Sequence, residues 1–187
     1  MELRIDVQPS PDNIEAELEA LYRRMAAPGD ALAGLSRLRS PLPGFAFRHR
    51  EADGEHYVYV EDVLRKRLAG YTVFNRLVEV NRRVDPYVRG PHSKYAPAYQ
   101  RRGIATAVYQ WGLESGFCLI SGARQSQAAH ALWRSLGRRY PLGYVALRDK
   151  EVRFLGMEVQ RATREDLHTR LILFGRGCTL ESLRARS

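Results

Sequence analysis

Gln100-Arg101-Arg102-Gly103-Ile104-Ala105 most narrows what this chain can fold into, because it stands where an irregular, proline-containing segment gives way to a helix-like run. Ile104, Ala107, Val108 and Trp111 recur at helical spacing, so a helix is expected over 104–114, closed by Ser115-Gly116. The first amides of a helix lack intrahelical acceptors and lie at the positive end of its dipole. Gly103 lets the backbone approach an anion, since no Cβ stands between amide and oxygen. Arg101 and Arg102 add charge, and a guanidinium can offer two donors to phosphate oxygens. The loop therefore reads as a pyrophosphate cradle. Taken alone, a glycine among arginines also fits a solvated basic turn.

The context is more specific. Tyr95-Ala96-Pro97-Ala98-Tyr99 leads directly into the loop, and the run 95–105 resembles the acetyl-CoA signature of the Gcn5-related N-acetyltransferases, Gln/Arg-x-x-Gly-x-Gly/Ala entered through a proline and an aromatic. Downstream, Ser126, Ala129, Leu132 and Trp133 stand at the spacing of that family's Asn-x-x-Ala-x-x-Leu-Tyr helix, and Leu136-Gly137 is similar to the Leu-Gly that follows it. The resemblance implies an α/β (α+β) fold with a mixed, mostly antiparallel central sheet flanked by helices. Its most diagnostic part is 45–155, within a single domain spanning 1–187. It further implies acetyl-CoA or another acyl-CoA as co-substrate, and transfer of the acyl group directly to an amine. Tyr95, Gln100, Arg101, Arg102, Gly103, Ile104, Ala105 and Ser126 are then the expected cofactor-binding residues.

Direct transfer asks the protein to position the thioester, to take a proton from an ammonium and to help the thiolate leave. The family's usual acid, a tyrosine, corresponds here to Trp133, and its asparagine to Ser126. Indole is a donor only and cannot supply that proton, so Trp133 is expected as a wall of the substrate pocket or as core. Tyr140, seven residues on, is a replacement phenol if the chain folds back, and otherwise covers a helix end. Ser126 either orients a water or donates to the thiolate sulfur, or else only caps a helix. For the base the candidates are His92, just upstream of the loop and titrating near neutrality, and Glu79, expected on a strand among apolar residues. Each also has a plain reading as a solvated side chain.

Composition sets the outer limits. The 187 residues suit one domain of ordinary size, and 44% hydrophobic with 27% charged residues are globular values. No apolar run is long enough to cross a bilayer and the amino terminus lacks a signal-peptide pattern, so a cytoplasmic protein without a membrane partner is expected. Cys118 and Cys178 are far apart and lack metal-ligand spacing, so buried or incidental thiols and no metal site are expected. The formal charge of +9, carried by 27 arginines and only three lysines, favours anions: the cofactor's phosphates, and beyond them an acidic or nucleic-acid partner. The acceptor remains open among a small amine, a protein amino group and an aminoacyl-tRNA. The family resemblance adds a homodimer. Two other functions compete: an acetyltransferase fold without catalysis, acting as a CoA-binding or regulatory protein, and a basic nucleic-acid binder.

Along the chain, periodicity predicts a helix over 11–25 with Ser10 or Asp12 at its start, and a short helix within 31–38. Asp53-Gly54 between aromatic and β-branched runs predicts a hairpin. Strands are expected over 68–77, where a helix beginning at Arg65-Lys66-Arg67 is the alternative, and over 77–84, 117–121 and 171–174, with a hairpin around 148–151. In the resembled family a strand leads into the loop; here it falls near 88–96, where Pro91 is awkward. A helix over 127–137 capped by Ser126 and another from Thr163 complete the order.

Overall fold

The computed structural model describes residues 14–185. The expected helix start at Pro11, its capping candidates Ser10 and Asp12, and the last two residues of the tail lie outside them. The described chain resolves into two compact units interleaved in sequence. One takes 14–74 and His92–Val108; the other takes Asn75–Pro91 and 109–185.

The first unit opens with helix α1 (Ile14–Ala26) and continues through strands β1 (Ser36–Leu38), β2 (Phe45–Ala52), β3 (Glu55–Asp62) and β4 (Arg67–Asn75). Each strand pairs antiparallel with the next, with Leu38 opposite Phe47, Phe45 opposite Asp62 and Asp62 opposite Arg67. The β2–β3 turn is the expected hairpin: Asp53 and Gly54 both hold positive φ, 55° and 76°, which suits the right-handed twist of the flanking strands. Alternation buries Phe47, Val58, Val60, Leu68 and Phe74 almost completely. The short helix expected within 31–38 is instead a turn followed by β1. Asp30 starts that turn by accepting the Leu32 amide, and loose apolar spacing leaves no helical face to bury.

Strand β5 (Val88–Tyr95) and helix α2 (Ile104–Glu114) are each divided between the units. Tyr95 leads into the loop within the first unit, where β5 neighbours β4 and the Ala96 amide donates to the Ala69 carbonyl at 3.0 Å.

In the second unit come β6 (Cys118–Ile120), α3 (Gln127–Leu136), β7 (Leu142–Arg148), β8 (Glu151–Gly156), α4 (Arg161–Arg164), β9 (Thr169–Leu173) and α5 (Leu180–Arg184). Its strand order is β5-β6-β9-β7-β8. The β5–β6 pairing is parallel, with Val88 opposite Cys118, and the others are antiparallel. The fold is thus mixed α/β and mostly antiparallel, as expected. Its core joins Val84, Val88, Ile120, Val145, Ile172 and Phe174. Pro91 is accommodated near the middle of β5, two residues past Arg89, which stands opposite Leu119 of β6.

Three expectations are corrected here. Cys118 and Cys178 are not thiols but a disulfide; both are buried, and folding brings together residues whose separation of 60 gave no motif. Residues 77–84 are a turn rather than a strand. The Asn81 side chain accepts the Arg83 and Val84 amides, and the Lys150 ammonium donates to the Val78 carbonyl, so the chain curls while Val80 and Val84 still reach the core. The helix expected from Thr163 is α4, which ends near there. Asp166 accepts the His168 amide and turns the chain toward β9. Among the described residues no helix is long and apolar enough to cross a membrane.

Candidate functional site

The loop is built from β5 outward. Pro97–Tyr99 form one 3-10 turn, closed by the Gln100 amide on the Pro97 carbonyl at 3.2 Å, while the Gln100 side-chain amide donates back to the Tyr95 carbonyl at 3.0 Å. Arg101 (φ 57°) and Gly103 (φ 75°) are left-handed on either side of Arg102, a curl of the kind that turns successive amides outward for an anion. The first helical bond of α2 runs from the Ala107 amide to the Gly103 carbonyl at 3.0 Å, leaving Ile104, Ala105 and Thr106 amides without intrahelical acceptors at the positive helix end. Ile104 is buried and pins the helix start, whereas Arg101, Arg102 and Gly103 are exposed. A Cβ on Gly103 would meet no protein atom within 4 Å. Its glycine is therefore required by the backbone angle and leaves open the space an anion would fill.

The loop is braced from below. Tyr99, 5% exposed, donates its hydroxyl to Asp62 Oδ2 at 2.8 Å, and Asp62 also accepts the Arg65 amide at 3.1 Å and its guanidinium at 2.9 Å. Burial pushes the Asp62 carboxyl up, but these donors outweigh it and hold the group below the usual carboxylate range. The Arg102 guanidinium lies 5.5 Å from the ring centres of both Phe45 and Tyr99. Tyr95 points into the core: its hydroxyl meets Thr72 Oγ1 at 3.0 Å, which meets Ser93 Oγ at 2.7 Å. Its ring covers Gly70, where a Cβ would come within 2.3 Å of Tyr95 Cδ1.

His92 is exposed on β5, and its charge is among the influences lowering the Glu17 carboxyl. Burial acts to raise Glu17, but the Tyr71 hydroxyl at 2.5 Å, the Lys94 ammonium at 2.9 Å and His92 bring it below its ordinary value. Burial, and then Glu17, drive the Tyr71 phenol strongly upward. This Glu17–Tyr71–Lys94 group is absent from the sequence reading. Its partners are separated by 54 and 77 residues, and Glu17 stands beside Leu18, one position off the apolar stripe.

The other candidates belong to the second unit. Ser126 Oγ accepts the Ala129 amide at 3.1 Å and caps α3. Trp133, 2% exposed, packs edge-on against Tyr109 with ring centres 6.3 Å apart. The Tyr140 hydroxyl donates to Glu114 Oε1 at 2.7 Å, and burial followed by Glu114 pushes the phenol up to about 12. Glu79 is exposed in the 77–84 turn rather than on a strand. Gln125, also missed, is 5% exposed with its Nε2 lacking a hydrogen-bond partner among the described residues, while its Oε1 lies 3.3 Å from His130 Nδ1. No group of three or more metal-ligating side chains forms among the described residues.

No family model matches the chain, and no curated protein matches it. Among solved structures it overlaps a GNAT superfamily phosphinothricin acetyltransferase from Sinorhizobium meliloti in complex with AcCoA. The overlap has 19% identity and a TM-score of 0.40, over 70% of this chain and 71% of that one. A spermidine N-acetyltransferase chimaera of Vibrio cholerae SpeG and hSSAT overlaps at 16% identity and TM-score 0.37, over 67% and 68%. A ribosomal L7/L12 alpha-N-protein acetyltransferase in complex with coenzyme A overlaps at 13% and 0.36, over 64% and 60%. At such scores the likeness settles neither family nor activity.

Proposed function

We propose that this chain is a Gcn5-related N-acyltransferase that moves an acetyl or other acyl group from CoA to an amine. The supporting observation is the loop 100–105: two left-handed residues and the amides of Ile104, Ala105 and Thr106, which lack intrahelical acceptors, beside two exposed arginines and open space over Gly103. This donor set fits a pyrophosphate. Arg101 and the loop amides would hold it, and Gln100 keeps the loop closed onto Tyr95. Bound acyl-CoA would supply the activated acyl carbon and depart as the thiol.

What this chain's side chains add is proton handling. His92 is the favoured base, being exposed on β5 just upstream of the loop. Glu79, in an exposed turn, is the second. Tyr140 and Ser126 are the acid candidates, and Tyr140 must first give up its bond to Glu114. The acceptor classes are an amine-bearing small molecule, a protein amino group or an aminoacyl-tRNA.

A second reading has its own support: the hydroxyls of Ser126 and Tyr140 are both engaged in structural bonds and Trp133 lies in the core. These features suit a CoA-binding protein without turnover. Thermal melting with and without acetyl-CoA tests the loop, since binding to the folded state raises the melting temperature by mass action. Wild type should shift upward and Gly103→Glu should not, its carboxylate lying where the phosphates belong. Equal shifts in both proteins would remove the loop as the site. Thiol release over an amine panel then separates enzyme from binder.

A further inference from the structure

The first unit is electrically polarised along its strands. At one end Arg37 and Arg39 stand exposed at and just beyond β1. The β3–β4 turn adds exposed Arg65, Lys66 and Arg67. The loop brings Arg101 and Arg102 to the same end, tied there by the Tyr99–Asp62 bond and by Arg102 over Phe45 and Tyr99. The nearest acids are already occupied: Asp62 is buried under Arg65 and Tyr99, and Glu61 is bound by Arg48 at 2.9 Å. The acids Glu51, Asp53 and Glu55 lie at the opposite end, around the β2–β3 turn. A cavity of about 360 Å³ opens among the cations, lined by Arg37, Leu38, Arg39, Ser40 and Phe45.

We propose that this basic end is a docking surface for a nucleic-acid backbone. The cations lie on and beside β1, in the β3–β4 turn and in the loop after β5; from β1 to β5 at ~4.8 Å per strand, that is a track of about 19 Å. One pyrophosphate engages only the loop end of such a track, whereas a chain of phosphodiesters meets cations along its whole length. Six of the seven cations are arginines, whose planar fork matches phosphate oxygens. Phe45, in the cavity wall and beneath Arg102, offers a ring on which a base can stack. An acidic peptide would use the charge but not the ring. The surface extends beyond the acyl-transfer loop, with which it shares Arg101 and Arg102, because Arg37, Arg39 and Lys66 lie outside that loop.

The test is fluorescence anisotropy with a labelled single-stranded RNA of about twenty nucleotides and the matching DNA, across a salt series. Wild type should bind with a log–log salt slope of about −3 or steeper, as expected for four or more phosphates neutralised at about 0.7 each. Arg37→Glu/Arg39→Glu should weaken binding by about tenfold or more and flatten the slope by about one to two. Lys66→Glu should act in the same direction and replaces the double variant should that one fail to fold. Arg82→Glu/Arg83→Glu, in the second unit, should bind like wild type. Absence of binding, a flat salt dependence, wild-type affinity in the Arg37/Arg39 variant, or displacement by poly-glutamate as effective as by unlabelled RNA would each overturn the proposal. The melting shift with acetyl-CoA, measured on the same variants, reports the loop separately: its loss in wild type sinks the transferase reading and leaves this surface standing.

Discussion

Gly103 and Asp62 illustrate two kinds of residue around the loop. Gly103 stood out in the sequence for the close approach its missing Cβ allows, and the structure adds a left-handed angle where irregular chain turns into helix. Asp62 did not, because its carboxylate matters only after folding places Tyr99, 37 residues away, against it. The same holds for Glu17, whose partners Tyr71 and Lys94 lie on two other elements, β4 and β5. Asp62 makes a prediction with a definite sign. Its folded pKa is depressed, so the stability it contributes is fully present above the unfolded value of about 3.9 and is lost as pH falls through the folded one. Asp62→Asn should therefore cost about 2 kcal/mol at neutral pH, the order expected for impaired buried charge-assisted hydrogen bonds. The difference from wild type should shrink steadily below about pH 4. Denaturant titrations at neutral and at acid pH would read both effects, and a constant difference would mean the charge is irrelevant.

Elements whose signals are local were also readable: the Asp53-Gly54 hairpin, the β7–β8 hairpin with Asp149 and Lys150 at positive φ, and α2 and α3 with their spacing and cap. Those misread were decided by side chain-to-backbone bonds, as with Asn81 and Asp30, which pattern and propensity do not record. At this scale Ser126 can be divided between capping and chemistry. Ser126→Ala should lose about 1 kcal/mol, while Ser126→Asp, an equally good cap, should keep the stability. If the Asp variant also keeps kcat with an acylated amine product, the hydroxyl only caps; if it folds normally but loses turnover, the hydroxyl belongs to the reaction. The approach of β5 to β4 depends on Gly70, where even a methyl would collide with Tyr95 and the Lys94 carbonyl at 2.4 Å. Gly70→Ala should destabilise by about 2–3 kcal/mol or more. A urea midpoint close to wild type would show that the two strands separate easily.

For the whole molecule, the sequence carried the basic charge but neither its placement nor the covalent link. Charge segregation along the strands depends on which turns share an end, and the disulfide depends on β6 meeting the segment before α5. That bond closes a loop of 60 residues. On chain-entropy grounds its reduction should cost about 4 kcal/mol, a loss visible as a lower melting temperature with a strong reductant. Equal melting in both conditions would show that packing of Cys118 and Cys178 suffices without the bond. Such bonds persist chiefly in oxidising compartments, which bears on the cytoplasmic expectation.

The interleaving of the two units has a practical consequence for anyone dividing this chain. Each unit takes two separated stretches of the described sequence, and the crossovers fall after residue 74, within β5 and within α2. No single cut frees either unit as a continuous piece. A truncation at any of these borders removes strands or a half-helix that the remaining unit needs, so neither half can be expressed alone or exchanged with a homologue by one splice. A crossover library would have to change partners at all three borders together.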